Sequence, residues 1–509
     1  MLRADTMRTL LLASFVAGAW LFRPGLVAAE PENASQRPNI LFIYTDDQSY
    51  RSVSCYPDAY EWARTPAIDR LAEQGVRFDS AYIGTWCMAS RATLLTGHHQ
   101  FAIESMRMVG DYPGSTYDPQ QCPFWPSEFR KQGYVTAQIG KWHTGTDTGF
   151  GRDWDSQIVW NRPRYTETSG HYYYDQPVTF HGGETKNIER YSTDQYTDWA
   201  IDFISGNGRA ADKPWYLWLC YGAVHGPYTP ADRHLNDYPG VIAPTPADVL
   251  PPRPGKPDWP QLIAFWTPGD NGAPLRRDRT LTSWVRQYNQ AVRAIDEGVA
   301  RLMETLDQSG QRENTLVVFT SDHGFPWGQH GFAHKVAAYD SNIRAPLIFS
   351  MPGRIPQGEV CRAAISGVDF VPTFFEFAGL EHPWEMHGRS LAPLLANPRT
   401  DWSYPTLLTN TGRRYGSDTN TIPQGEEAYQ GQIPWYVMLR VSRYKYVRPL
   451  IPDDLEELYD LEADPDELDN LAQKPQHREL LGTMRKAAIE ELRRTGAGFV
   501  DNMPPLREG

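Results

Sequence analysis

Cysteine is scarce: five (Cys55, Cys87, Cys122, Cys220, Cys361) in 509 residues. That excludes a disulfide scaffold, in which dense cross-links replace a core. With the odd one reserved for chemistry, the other four allow up to two bridges in three connectivities, or stand as buried thiols. Basic residues are in deficit as well, 49 Lys and Arg against 62 Asp and Glu, for a formal charge of −13. No basic block offsets this balance, so no nucleic-acid partner is expected. Long apolar runs are missing too. The early run Leu10 to Phe22 falls short of the roughly 20 residues a bilayer span needs, and no integral membrane segment is expected.

What is present describes a large acidic protein with ample core-forming residues, 40% hydrophobic against 22% charged. Arg3 and Arg8 precede the early run, and Val27-Ala28-Ala29 supplies small residues after it. Residues 1–29 therefore read as a secretory signal, with a buried N-terminal helix as the alternative, and 30–37 as a polar linker. The expected location is secreted or periplasmic. Trp160, Trp327 and Tyr172-Tyr173-Tyr174 suit a saccharide cleft, although core packing explains aromatics equally well.

Several apolar runs stop at polar residues. Asn39 to Tyr44 ends on Thr45-Asp46-Asp47, Tyr134 to Ile139 on Gly140-Lys141-Trp142-His143, Trp215 to Tyr221 on His225, and Leu316 to Thr320 on Asp322-His323. Such runs read as buried parallel strands. Thr65 and Pro66 open a helix that Gly75 closes, and Val285 to Leu306 keeps helical spacing. Strands alternating with helices predict a doubly wound, mainly parallel α/β sheet with helices on both faces, whose ligand site lies beyond the strands' carboxyl ends. Pro227 to Pro274, with twelve prolines, is a structured excursion or a lid. Past Pro398 the rhythm changes. Trp435 to Val441, Tyr444 to Val447 and a helix over 479–494 predict a smaller C-terminal α+β domain with a short antiparallel sheet. The expected units are 38–398 and 399–509.

Cys87-Met88-Ala89-Ser90-Arg91 opens a helical segment ending at Thr96-Gly97, with Arg91 one turn beyond Cys87 on the same face. A helix start beside a guanidinium makes an anion site next to a potential nucleophile. Two histidines, His143 and His225, stand after strand ends, and Lys141 shares a side with His143 if that segment is extended.

Taken together, the motifs resemble a type I sulfatase of the alkaline phosphatase-like superfamily. The match runs through Asp46-Asp47, Thr65-Pro66, Cys87-x-x-Ser90-Arg91-x-x-Leu94-Leu95-Thr96-Gly97, Gly140-Lys141-Trp142-His143 and Val224-His225-Gly226-Pro227. It continues through Ser321-Asp322-His323-Gly324, Lys335 ahead of Tyr339-Asp340, Asp369-x-x-Pro372-Thr373, Gly388-Arg389-Ser390-Leu391 and Glu457-Leu458-Tyr459-Asp460. This covers about Pro38 to Leu471. The resemblance implies that a formylglycine-generating maturation enzyme oxidises Cys87 to formylglycine, whose hydrate attacks sulfur. It implies one divalent cation, Ca2+ first, on Asp46, Asp47, Asp322 and His323 together with the modified Cys87. Arg91, Lys141 and Lys335 would clamp the sulfate, His143 would take a proton during sulfate release, and His225 would protonate the leaving oxygen. His323 stands where the family more often has Asn, and its ring nitrogen is the softer ligand. Ala89 stands where many members have Pro. His330 reads as loop structure.

The expected activity is hydrolysis of sulfate monoesters, with a sulfated sugar or polysaccharide as substrate. An arylsulfatase and a phosphonate or phosphodiester hydrolase of the same superfamily are the enzymatic alternatives. A silent glycan-binding homologue is the non-enzymatic one.

Overall fold

The computed structural model describes residues 37–507 except Asn271. The expected signal segment lies outside them. No helix among the described residues is long and apolar enough to cross a membrane.

In chain order the main sheet contains β1 (Asn39–Thr45), β2 (Val76–Tyr82), β3 (Val135–Lys141), β4 (Ser156–Trp160), β5 (Gln176–Phe180), β6 (Thr185–Ile188), β7 (Trp215–Cys220), β8 (Thr315–Ser321), β9 (Arg344–Ser350) and β10 (Glu359–Ser366). Their spatial order is β10-β2-β9-β8-β1-β7-β3-β4-β5-β6. The five central strands, β8 to β4, run parallel. Antiparallel pairs flank them on both sides, through β9 on one and β5 and β6 on the other. The sheet is therefore mainly parallel, as expected, with antiparallel pairs confined to its flanks and a parallel β10–β2 pair at one edge.

β1 shows why the centre forms. Every residue of it is buried. Ile40, Phe42 and Tyr44 point into one core layer, with Leu94, Leu95, Phe370 and Phe374. Leu41 and Ile43 point into the other, with Ile68, Leu71, Val285 and Ile295. Helices cover both faces: α1 (Pro66–Glu73) and the long α4 (Leu281–Gln308) on one, α2 (Cys87–Thr96) and α5 (Phe370–Phe377) on the other, with α3 (Ser192–Ile204) packed on α4. Each buried side chain of this size contributes roughly 1.5–3 kcal/mol, so a strand buried on both faces is apolar throughout.

The start of α1 departs from expectation. Thr65 occupies the N-cap, yet its hydroxyl donates to Asp69 and caps no helix amide. Asp296 of α4 does that instead, its Oδ1 accepting from the amides of Ala67 and Ile68, both at 2.9 Å. Burial pushes the Asp296 carboxyl up to about 6, against the pull of those two amides.

A second, antiparallel sheet is built from β11 (Thr406–Asn410), β12 (Tyr436–Val441), β13 (Tyr444–Pro449) and β14 (Glu457–Asp460), with α6 (Arg478–Arg494) against it. The proline-rich excursion holds short helical turns and small strands, and Val249, Trp259, Ile263 and Trp266 tuck into the core. All five cysteines are free; Cys55 is half-buried and the others are buried. The thiol alternative therefore holds and the bridges do not. Trp160 and Trp327 are core residues, not cleft residues.

Candidate active site

Strand register assembles the site. Thr45 pairs with Ser321, so Asp46 and Asp322 leave the sheet side by side, and Tyr44 pairs with Cys220 on β7. The Asp47 amide then donates to Asp322 Oδ1 at 2.9 Å. Gly140 (φ 102°) lets β3 approach β7 closely, since a Cβ there would sit 2.1 Å from the Cys220 carbonyl oxygen. The next residue, Lys141, ion-pairs with Asp46.

α2 supplies the centre, and all ten of its residues are buried. Gly97, left-handed at φ 74°, stops it. The Ser90 hydroxyl bridges the Tyr44 hydroxyl (2.6 Å) and the Asp322 carbonyl (2.8 Å), which pins the helix to β1 and β8. Arg91 donates from Nη1 to the Lys141 carbonyl and from Nη2 to Asp46 Oδ2, both at 2.9 Å. These bonds hold Cys87 Sγ 3.4 Å from Asp46 Oδ1 and 4.0 Å from Asp47 Oδ1. Lys335 Nζ donates to Asp47 Oδ1 at 2.6 Å and to Cys87 Sγ at 2.9 Å. Ligand atoms of Asp46, Asp47, Cys87 and His225 lie within 4.8 Å of one another, as do those of Asp47, Cys87, Asp322 and His323.

Charge in this buried cluster is finely divided. Burial would raise Asp46, but Lys141 and then Arg91 hold it well below the carboxylate range. Asp47 is likewise held low, against burial, by Lys335. Asp322 is raised by burial and by Asp46. Burial opposes protonation of His323, yet Asp322 and Asp47 raise it to about 10. Asp322 Oδ2 is buried without a hydrogen bond, while His323 Nε2 lies 3.1 Å from Asp47 Oδ1 and 3.3 Å from Asp322 Oδ1. Three converging carboxylates, one with an unsatisfied buried oxygen, fit a hard divalent cation, whose charge would displace the proton that His323 shares with them.

The histidines sit on either side. His225 stacks on Tyr172 at 3.8 Å, and its Nδ1 faces its neighbour's carbonyl at 3.0 Å. That leaves Nε2 toward Asp47, at 3.7 Å. Burial lowers it to about 3 although Asp47 pulls the other way. His143 is not extended: its φ is 65°, so it reaches the pocket through a left-handed turn rather than by strand alternation with Lys141. Its Nε2 lies 3.1 Å from the Tyr112 hydroxyl and 3.3 Å from Arg162 Nη1. Burial, then Arg162, keeps this ring well below 6.5 and neutral. Asp47 (φ 56°) and Val336 (φ 92°), next to Lys335, are also left-handed, and strain of this kind gathers at functional sites. The Val336 carbonyl is held by the Tyr436 hydroxyl at 2.5 Å.

Residues 38–380 match the sulfatase family profile. The chain belongs to the sulfatase family. Like its relatives it is a hydrolase of sulfate monoesters. This sulfatase is 29% identical to an N-acetylglucosamine-6-O-sulfatase of Bacteroides thetaiotaomicron, over 93% of this chain and 89% of that one. It is 27% identical to an N-acetylglucosamine-6-sulfatase of Homo sapiens, over 88% and 83%. A solved structure in complex with its substrate, D-glucosamine-2-N,6-O-disulfate, aligns at a TM-score of 0.77 and 26% identity, covering 92% of this chain and 99% of that one.

Every residue expected in the sulfatase site converges here. His330 stays in its loop, 2.6 Å from Asp248 and stacked on Tyr339. Sequence reasoning missed Tyr112, Arg162 and Tyr415. Arg162 follows the end of β4 as Lys141 ends β3, and that position was its one legible signal. Tyr415 arrives from the loop after β11, which no motif marks.

Proposed function

We propose that this sulfatase removes a 6-O-sulfate from glucosamine-type saccharides, yielding the alcohol and inorganic sulfate. The observation that carries the reading is Cys87 Sγ standing between the paired carboxylates Asp46 and Asp47 and the Lys335 ammonium. The substrate class rests on the two N-acetylglucosamine-6-sulfatases among its relatives. A silent glycan binder would have lost part of this set, and here it is complete.

Cys87, once converted to formylglycine by a maturation enzyme, would supply the hydrated aldehyde oxygen that attacks sulfur. A divalent cation, Ca2+ by its hard carboxylate donors, would be held by Asp46, Asp47, Asp322 and His323 and supply Lewis acidity. The remaining work falls to the chain's own groups. Arg91, Lys141 and Lys335 meet the negative charge of the sulfate oxygens in a dry pocket, where fixed cations act strongly. His225 holds the leaving oxygen's proton at Nε2, and an anionic ester beside it raises its proton affinity in the direction an acid needs. His143, kept neutral, is in the form that takes a proton. Residues 38–398 carry this chemistry and 399–509 form the smaller unit, a division supported by the main sheet ending at Ser366 and the second beginning at Thr406. Export rests on Arg3, Arg8 and the apolar run of the first 29 residues.

The test is ion chromatography of products from a panel of 6-O-, 3-O- and N-sulfated glucosamines, an aryl sulfate and a phosphonate ester. Sulfate from the 6-O-esters is the expected result. Turnover of only the aryl sulfate, or of only the phosphonate ester, would overturn the reading.

A further inference from the structure

Outside the cluster around Cys87, the pocket rim carries cations that no carboxylate neutralises. Arg162 is buried. Its Nε donates to the Ser169 carbonyl (2.9 Å) and its Nη1 to the Tyr112 hydroxyl (3.2 Å) and His143. Among the described residues it makes no ion pair, and its Nη2 makes no hydrogen bond. Its guanidinium lies 5.7 Å from the Tyr112 ring centre. Arg413, from the loop after β11, lies 4.8 Å from the same ring centre. Arg413 is exposed and also makes no ion pair among the described residues. Its neighbour Arg414, by contrast, is paired with Glu427 at 2.6 Å. Two positions on, the Tyr415 hydroxyl is fully buried and has no hydrogen-bond partner. A cavity of about 370 Å³ opens at Arg413, walled by Tyr429, Trp435 and the Arg414–Glu427 pair, which leaves Arg413 as its unpaired charge among the described residues.

A buried cation without a counter-charge is costly, and a buried hydroxyl without a partner is too. Two guanidinium groups on one ring repel unless something negative joins them. Holding His143 accounts for part of Arg162 but for nothing of Arg413. The Tyr112 hydroxyl lies 3.1 Å from His143 Nε2, so the ring that both guanidinium groups approach borders the pocket at Cys87.

We propose that Arg162 and Arg413, both against the Tyr112 ring, form a subsite for a second anionic group of the substrate, so that this sulfatase selects doubly charged saccharides. The group is a sulfate or a carboxylate, since a guanidinium fork receives both. The proposal rests on the glucosamine-6-sulfatase reading above.

The test is calorimetric titration of Cys87→Ser protein with three ligands: N-acetylglucosamine 6-sulfate, N-sulfoglucosamine 6-sulfate, and a 6-sulfated glucosamine disaccharide bearing a uronate. At least one doubly charged ligand should bind about 10- to 100-fold more tightly than the first, the range for a hydrogen-bonded charge. Which one does so separates sulfate from carboxylate. Arg413→Gln should erase that preference, and Arg413→Lys should keep part of it; at an exposed position neither threatens folding. Equal affinity for all three ligands, a preference that survives Arg413→Gln, or no binding at all would overturn the subsite. Sulfate release from N-acetylglucosamine 6-sulfate by the matured wild type then shows separately whether the underlying activity stands.

Discussion

Lys335 and Cys87 are 248 positions apart in the chain, yet their Nζ and Sγ atoms lie 2.9 Å from each other. The same ammonium holds Asp47, so one cation would serve both the proposed nucleophile and a proposed metal ligand. Lys335→Ala should lower kcat by about 10²–10³, the cost of a preorganised charge-stabilising group. The folded state should persist, as read by circular dichroism and thermal melting. A kcat within threefold of wild type would remove Lys335 from the clamp.

Cys87→Ala should abolish sulfate release while the protein stays folded. Mass spectrometry of the peptide spanning Cys87, from a host with a maturation enzyme, should find formylglycine in the active fraction. Fully active protein with an intact thiol at that position would refute the nucleophile assignment.

Asp322 has one buried oxygen with no partner, which a cation would satisfy. Elemental analysis of the purified protein should give about one divalent ion per chain. Asp322→Ala should lose both ion and activity, and chelation should inactivate the wild type reversibly. Full turnover by metal-free protein would exclude the site.

His225 and His143 should separate by leaving group. A sugar alkoxide needs a proton as the S–O bond breaks, and a nitrophenolate needs almost none. His225→Ala should slow a sugar sulfate by roughly 10²–10⁴ and an aryl sulfate far less. His143→Ala should slow both alike. Single-turnover kinetics on the two substrates decides it; equal losses in the first variant would make His225 a sulfate-positioning residue.

Asp296 gives a stability prediction with a definite sign. Its carboxyl is raised to about 6 by burial, so the folded state binds this proton more tightly than the unfolded chain, where carboxyls titrate near 3.8. Its contribution is greatest below about 4 and is lost as pH rises through about 6. Asp296→Asn keeps an oxygen for the Ala67 and Ile68 amides but cannot ionise. Denaturant melts between pH 4 and 7.5 should show a shallower fall in stability for the variant. An unchanged slope would mean that the charge is compensated elsewhere.

How much of this was legible in the sequence depended on burial. β1, β7 and β8 lie inside the sheet with both faces covered, so their apolar runs announce them and the polar residues that follow mark the site's edge. β4 to β6 are partly exposed, and Ser156–Trp160 and Thr185–Ile188 carry polar residues that blur the pattern. Cys87, Arg91 and the three aspartates were readable because strand ends and a helix start fix them. His143 reaches the pocket through a left-handed turn rather than an extended segment, and that turn depends on surroundings no dipeptide encodes. Tyr112 and Arg162 join the pocket through tertiary contacts with His143 alone.

The hydroxyl that Tyr436 lends to the Val336 carbonyl makes the smaller sheet a mechanical strut for the larger one. Lys335 sits beside that strained residue, and the strut keeps its backbone from relaxing. Cutting the chain between Ser366 and Thr406 would therefore not trim an accessory. It would unseat the ammonium that faces Cys87, leaving a scaffold with its carboxylates in place and its keystone cation adrift.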